Sequence, residues 1–227
     1  MKLRISGVVI VAVFAMLVFA VVPAHATAEL KLDDGNGNTA DITDGLAGDL
    51  CGVANCVTYS GTLGGWNINV TTGSDKSSSA PNLMHLNSIN HTTGIAAGSN
   101  TLTIMFSDDG FSPATTGFEL TFGPVISGAN ATATYAAYED DTTKFALTNQ
   151  IGSTLTFHTS GTGQMNGLVN APNNYALTQV VTLSFNGGVG NVSFDATIDP
   201  VPEPASIVFL GTVLLGVTSL IRKKRAA

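Results

Sequence analysis

Val57-Thr58-Tyr59-Ser60-Gly61-Thr62-Leu63-Gly64-Gly65-Trp66-Asn67-Ile68-Asn69-Val70-Thr71-Thr72 decides the fold class. Trp66, Ile68 and Val70 alternate with Asn67, Asn69 and Thr71, a period of two that puts the apolar set on one face of a strand. Gly64-Gly65 sits between two such runs. A two-residue β-hairpin loop needs φ > 0, which glycine supplies without a steric penalty. The stretch therefore predicts a hairpin with one buried face.

The same alternation recurs on both sides. Leu102, Ile104 and Phe106 interleave with Thr101, Thr103 and Met105, and Phe118, Leu120 and Phe122 with Glu119 and Thr121. Further runs cover 131–138, 154–158, 176–185 and 191–198. The last two flank Asn186-Gly187-Gly188-Val189-Gly190 and are expected to pair as a terminal hairpin. Gly73 to Asn82, rich in serine, reads as a loop. No segment between residues 27 and 200 keeps apolar residues at helical spacing beyond two turns. The expectation is an all-β body of about nine or ten strands, an antiparallel β-sandwich or jelly-roll-like fold.

The chain has 227 residues, 44% hydrophobic and 11% charged, with a formal net charge of −7. These averages hide three unlike parts: 1–26, 27–199 and 200–227. Residues 27–200 hold Lys31, Lys76 and Lys144, no Arg, and 15 of the 16 acids, so the body alone carries 3 − 15 = −12. Binding nucleic acid needs clustered Lys and Arg to neutralise phosphates, which excludes that partner. Thr, Ser and Asn supply 57 of these 174 residues, a composition suited to exposed strand faces and turns.

Met1-Lys2-Leu3-Arg4 is a basic n-region, Ile5–Val22 an apolar run, and Pro23 a helix breaker. Ala24-His25-Ala26 is an A-x-A box, so 1–26 reads as a signal helix removed by signal peptidase after Ala26. At the other end, Val201-Pro202-Glu203-Pro204 is stiff and non-helical because each proline fixes its own φ and restricts its predecessor. Ala205–Ile221 then gives 17 uncharged residues, at the short end for a transmembrane helix. Arg222-Lys223-Lys224-Arg225 follows, and its positive charge keeps that end cytoplasmic and the body outside.

Pro-Glu-Pro, one apolar span and a basic tail at the C-terminus resemble the PEP-CTERM sorting domain of exported bacterial proteins. The resemblance covers about 26 residues. It implies recognition by an exosortase, a membrane-embedded cysteine transpeptidase, with cleavage near Pro202-Glu203-Pro204. It further implies transient residence in the inner membrane, then delivery to the cell surface or an exopolysaccharide matrix. It says nothing of what the body does.

Candidate sites in the body are few. Cys51 and Cys56 are the only cysteines. In an exported protein the redox setting permits a disulfide, and the enclosed Gly52-Val53-Ala54-Asn55 can turn the chain back to form one. A free pair and half of a metal site are the rivals. Asp34, Asn36, Asn38 and Asp41 place oxygens at alternate positions, as a Ca²⁺ loop would. The EF-hand pattern fails, with Thr39 where glycine and Gly45 where glutamate would stand, and Asp, Asn and Gly also form ordinary turns. A plain turn is the preferred reading, and no cofactor is expected.

His85 and His91 on one strand would share a face about 20 Å apart, at ~3.3 Å per residue, too far for one metal. Asp33-Asp34, Asp108-Asp109 and Glu139-Asp140-Asp141 fall where solvated turns are expected. Two acids from different strands could still face one another at glycosidase separation. No nucleophile-elbow, zinc-protease or phosphate-loop pattern is present. The body is expected to be structural or adhesive and non-catalytic, within an exopolysaccharide matrix. A carbohydrate-binding module is the alternative, with Tyr138 and Tyr175 the aromatics better placed than Trp66 to stack on sugar rings. A glycan hydrolase is the third class.

Overall fold

A computed structural model describes residues 27–201 apart from 77–82, 93–94, 113, 129 and 142. The signal segment with Ala24 and Ala26, the motif Pro202–Pro204, the apolar span and the tail Arg222–Arg225 lie outside the described residues. Among the described residues no helix is long and apolar enough to cross a membrane.

The body is all-β. Its strands are β1 (Glu29–Asp33), β2 (Thr39–Thr43), β3 (Thr58–Leu63), β4 (Trp66–Asp75), β5 (Leu83–Thr92) and β6 (Ile95–Phe111). They continue with β7 (Ala114–Ser127), β8 (Ala131–Asp140), β9 (Asn149–Phe157), β10 (Gly163–Ala171), β11 (Tyr175–Gly188) and β12 (Asn191–Pro200). Sheet A runs β2-β1-β6-β11-β8-β9 and sheet B runs β10-β7-β12-β5-β4-β3. Every recorded pairing is antiparallel.

The Gly64-Gly65 hairpin forms as its sequence dictates. Leu63 pairs with Trp66 and Thr62 with Asn67, and Gly64 takes φ +54°. Trp66, Ile68 and Val70 are buried, and so are the inward sets of β6 and β7. These side chains face one another across the two sheets. Trp66 of sheet B meets Phe185 of sheet A at 5.7 Å between ring centroids. Phe122 of sheet B stacks on Tyr135 of sheet A at 5.3 Å. Burying each such side chain is worth roughly 1.5–3 kcal/mol. Tyr135 donates its hydroxyl hydrogen to Thr197 O at 3.1 Å, and Gln179 Nε2 donates to Tyr135 Oη at 2.9 Å. Gln179 Nε2 also donates to Ala196 O at 3.4 Å, so polar links from β8 and β11 cross the core to β12.

At one side the sheets close on each other. A Cβ added to Gly167 of β10 would lie 2.5 Å from the backbone nitrogen of Gly152 in β9, so only glycine lets these two edge strands approach. Closing edges in this way removes a template for strand addition.

Three expectations are corrected. β11 and β12 do not pair: residues 188–191 cross from sheet A to sheet B, where β12 lies between β5 and β7. Both strands carry inward apolar sets, and each buries its set between two other strands, β11 between β6 and β8 and β12 between β7 and β5. Gly73–Asp75 extends β4 rather than starting a loop. The carboxylate doublets are not simply solvated turns. Asp34 and Asp108 are 1% and 0% exposed, and Asp108-Asp109 lies inside β6.

Candidate functional site

The two outer faces of the sandwich differ in access. On sheet A, residues 143–148 fold back over the strands. Lys144 donates to Thr27 O at 2.7 Å and also pairs with Glu29. The Phe145 backbone N–H donates to Ser107 Oγ at 3.1 Å and Thr178 Oγ1 at 3.2 Å. Lys31 stands over the Phe145 ring at 4.3 Å.

On sheet B, the register builds rows across the outer surface. One row is Ser60, Asn69, Ile89, Ser193 and Val125; the next is Thr62, Asn67, His91, Asn191 and Ser127. Ile89 and Val125 are 62% and 60% exposed. Ser60, Gly61, Thr62, Asn67, Ile68, Asn69, Ile89 and His91 line an open groove of about 410 Å³. Amides and hydroxyls both donate and accept, so this lining can match the hydroxyls of a sugar, while Ile89 offers an apolar surface to ring C–H groups. His91 contacts Asn191, and His85 contacts Asp195 at 2.5 Å. The two histidines share the outer face of β5, as the strand period requires, and each takes a partner from β12.

The floor beneath this face is braced by polar residues facing inward. Ser88, Asn90 and Thr92 are fully buried. Ser88 donates to Asn69 O at 3.1 Å, and Asn90 Nδ2 donates to Val192 O at 3.5 Å. These bonds tie β4, β5 and β12 at the level of the groove. Their sequence signal was present in the inward positions of β5, but polar residues at apolar-period positions hid that strand from pattern reading.

A second pocket opens at the rim of sheet A, where β6 and β8 end and β11 begins. Asp109, Gly110, Asp141, Asn174 and Tyr175 line about 200 Å³. Asp108 behind it is paired with Lys76 at 2.7 Å and accepts from Ser74. Glu139 is 8% exposed; burial first, then the charges of Asp141 and Asp140, pushes its carboxyl above the usual range. Sequence reading scattered these acids among separate turns, and the ends of β6 and β8 bring them together.

Cys51 and Cys56 form the disulfide. Asp49 Oδ1 accepts from the backbone of Cys51 at 2.8 Å and Thr58 at 2.9 Å, so it fastens both sides of that loop. Asp34 serves the β1–β2 turn, accepting from Asn36 N at 2.8 Å, Asn38 N at 3.0 Å and Asn38 Nδ2 at 2.7 Å. Asp41 lies in β2 opposite Lys31. Among the described residues no group of three His, Cys, Asp or Glu could hold a metal ion. Trp66 is in the core, as expected. Tyr175 is a correction: at 1% exposure it cannot stack on an external ring, because its strand begins one residue earlier than the turn residues suggest and turns it inward. Tyr138 is half-buried on the outer side of β8. His158 meets Thr132 Oγ1 at 3.0 Å.

No family model matches the chain, and no curated protein does. Solved structures to which the chain shows some similarity include the TmCBM61 module in complex with β-1,4-galactotriose. It is 8% identical, with 60% of this chain and 88% of that one covered and a TM-score of 0.34. The CBM22-1 xylan-binding domain of Paenibacillus barcinonensis Xyn10C is 12% identical over 63% and 90% of the two chains, with a TM-score of 0.31. The K1 cleaved adhesin domain of Lys-gingipain from Porphyromonas gingivalis is 12% identical over 65% and 99%, with a TM-score of 0.29. Likeness at this level assigns neither a family nor a ligand to the chain.

Proposed function

We propose that this is an exported, non-catalytic protein of the cell surface or exopolysaccharide matrix, whose body holds polysaccharide on the outer face of sheet B. The observation that carries the reading is the open groove in which amides, hydroxyls and an imidazole stand around an apolar floor of Ile68 and the exposed Ile89. Such a lining can exchange hydrogen bonds with a neutral glycan while charge plays little part. The signal-like segment 1–26 and the PEP-CTERM-like segment 200–227 support the route: signal peptidase, a passage through the inner membrane, then release by exosortase. Val201 donates its backbone N–H to Gly117 O at 2.8 Å, so the body's hydrogen bonding runs up to the residue before Pro202.

Electrophoresis of the full-length protein through gels containing soluble neutral polysaccharides tests the reading. At least one glycan should retard it, and the same glycan should keep its chain length after long incubation. Unretarded migration throughout, or release of new reducing ends, contradicts it.

A further inference from the structure

Lys76 and Asp108 meet across the two sheets in a contact unlike the ion pair of Lys144. Lys76 stands just past the end of β4 in sheet B, and Asp108 lies in β6 of sheet A. Lys76 Nζ and Asp108 Oδ1 are 2.7 Å apart. Asp108 is fully buried, and Lys76 Nζ has no surface open to solvent. Among the described residues that nitrogen makes no hydrogen bond, because its contact with Oδ1 is too poorly aligned for one. The Phe111 ring covers it, with the centroid 5.2 Å away. Lys144, by contrast, donates to Thr27 O at 2.7 Å and also pairs with Glu29. Taking two charges out of water is costly unless hydrogen bonds hold both, so the Lys76–Asp108 contact is a poor resting place for an ammonium.

The Asp108 carboxyl is arranged for attack by this nitrogen. Its Cγ lies one C–O bond, about 1.2 Å, beyond Oδ1. Nζ is therefore within ~4 Å of Cγ, close to the roughly 3–3.5 Å of a near-attack pair. Oδ1 accepts the Asp109 backbone N–H at 2.9 Å, a fixed donor that stabilises negative charge on that oxygen. Oδ2 accepts the Ser74 hydroxyl. We propose that Lys76 and Asp108 condense into an intramolecular amide. One proton passes from the ammonium to the carboxylate, and Nζ bonds to Cγ. Oδ2 takes a second proton from the nitrogen, relayed by the Ser74 hydroxyl, and leaves as water. The Nζ–Cγ bond forms, the Cγ–Oδ2 bond breaks, and Oδ1 remains as the amide oxygen. Nothing is oxidised or reduced, and no co-reactant enters. A site closed to water protects the product from hydrolysis. The amide ties sheet A covalently to sheet B, which the Cys51–Cys56 bridge, local to one loop, does not do. It does not depend on what sheet B binds.

Mass spectrometry of tryptic peptides from the full-length protein, denatured and reduced before digestion, tests this. Residues 27–200 contain Lys31, Lys76 and Lys144 and no Arg. Trypsin does not cut after an amidated lysine, whose side chain has lost its charge. The expected result is one species spanning 32–144, lighter by one water, whose fragment ions branch at Lys76 and Asp108. Lys76→Arg keeps the charge but cannot form this amide, and should give 32–76 and 77–144 at full mass. Those two peptides at full mass from the unaltered protein overturn the proposal. So does a water lost within 77–144 alone with normal cleavage after Lys76, which marks a cyclic imide at Asp109-Gly110 instead. The reading on the unaltered protein needs no variant, so misfolding of a variant cannot rescue the idea.

Discussion

A Cβ placed on Gly64 would come within 2.0 Å of Asp34 Oδ2. The β3–β4 turn thus leans on the carboxylate that organises the β1–β2 turn, and two hairpins from opposite sheets are fitted to each other at one corner of the sandwich. Gly64 is needed twice over, for its φ of +54° and for this contact. Gly64→Ala should destabilise the body by on the order of 2 kcal/mol or more, since the left-handed backbone alone costs about 1–2 kcal/mol. Urea titration measures this; an unchanged midpoint contradicts it.

Acid and base should act on the fold in opposite ways. Burial alone would raise the Asp34 carboxyl, but the hydrogen bonds from Asn38 and Asn36 outweigh it and hold the group below its ordinary 3.8. The stability it gives is present above that value and is lost as pH falls through the folded one. Glu139 runs the other way, since its folded carboxyl lies above the ordinary 4.5. Its contribution is greatest below 4.5 and declines as pH rises through the folded value. Glu139→Gln should therefore raise the melting temperature at neutral pH and flatten this decline. Asp34→Asn should flatten the acid limb. Melting curves across pH decide it, and a lower neutral melting temperature in Glu139→Gln counts against the account.

The bridge between Cys51 and Cys56 closes a short loop. Chain entropy for a loop this size gives only about 2 kcal/mol. Replacing both cysteines by serine should cost no more than that and leave the far-ultraviolet circular dichroism of a β protein. Mass spectrometry of the exported protein should find it two hydrogens lighter than its reduced form. Alkylation of both thiols without reduction is the contrary result.

Much of the fold was readable because its strands have one wet face. The hairpin around Gly64-Gly65 and the alternating sets of β6 and β7 stand in the structure with the expected faces buried. β5 and β10 were harder, since Ser88, Asn90 and Thr92 put polar groups inward, and exposed Leu168 puts an apolar one outward. Pairing partners were not readable at all. Whether β11 turns back on itself or hands its successor to the other sheet is decided by packing between strands distant in sequence, not by Asn186–Gly190. The same holds for the rim pocket, whose members come from β6, from β8 and from the approach to β11.

The tail offers a separate check on the proposed route. In a host with an exosortase, a tagged precursor should lose the residues beyond Pro202-Glu203-Pro204, and deletion of these three should leave the full-length form in the membrane. Equal processing of the deletion would remove the sorting reading while leaving the body's chemistry untouched.

Polysaccharide binding on the outer face of sheet B is the central claim, and titration calorimetry with the retarding glycan tests it most directly. The Asn67→Ala, Asn69→Ala double variant should bind at least tenfold more weakly than the unaltered protein. Thr103→Ala, on the opposite sheet, should bind unchanged. Equal affinity in the double variant and the unaltered protein would contradict the assignment of the groove.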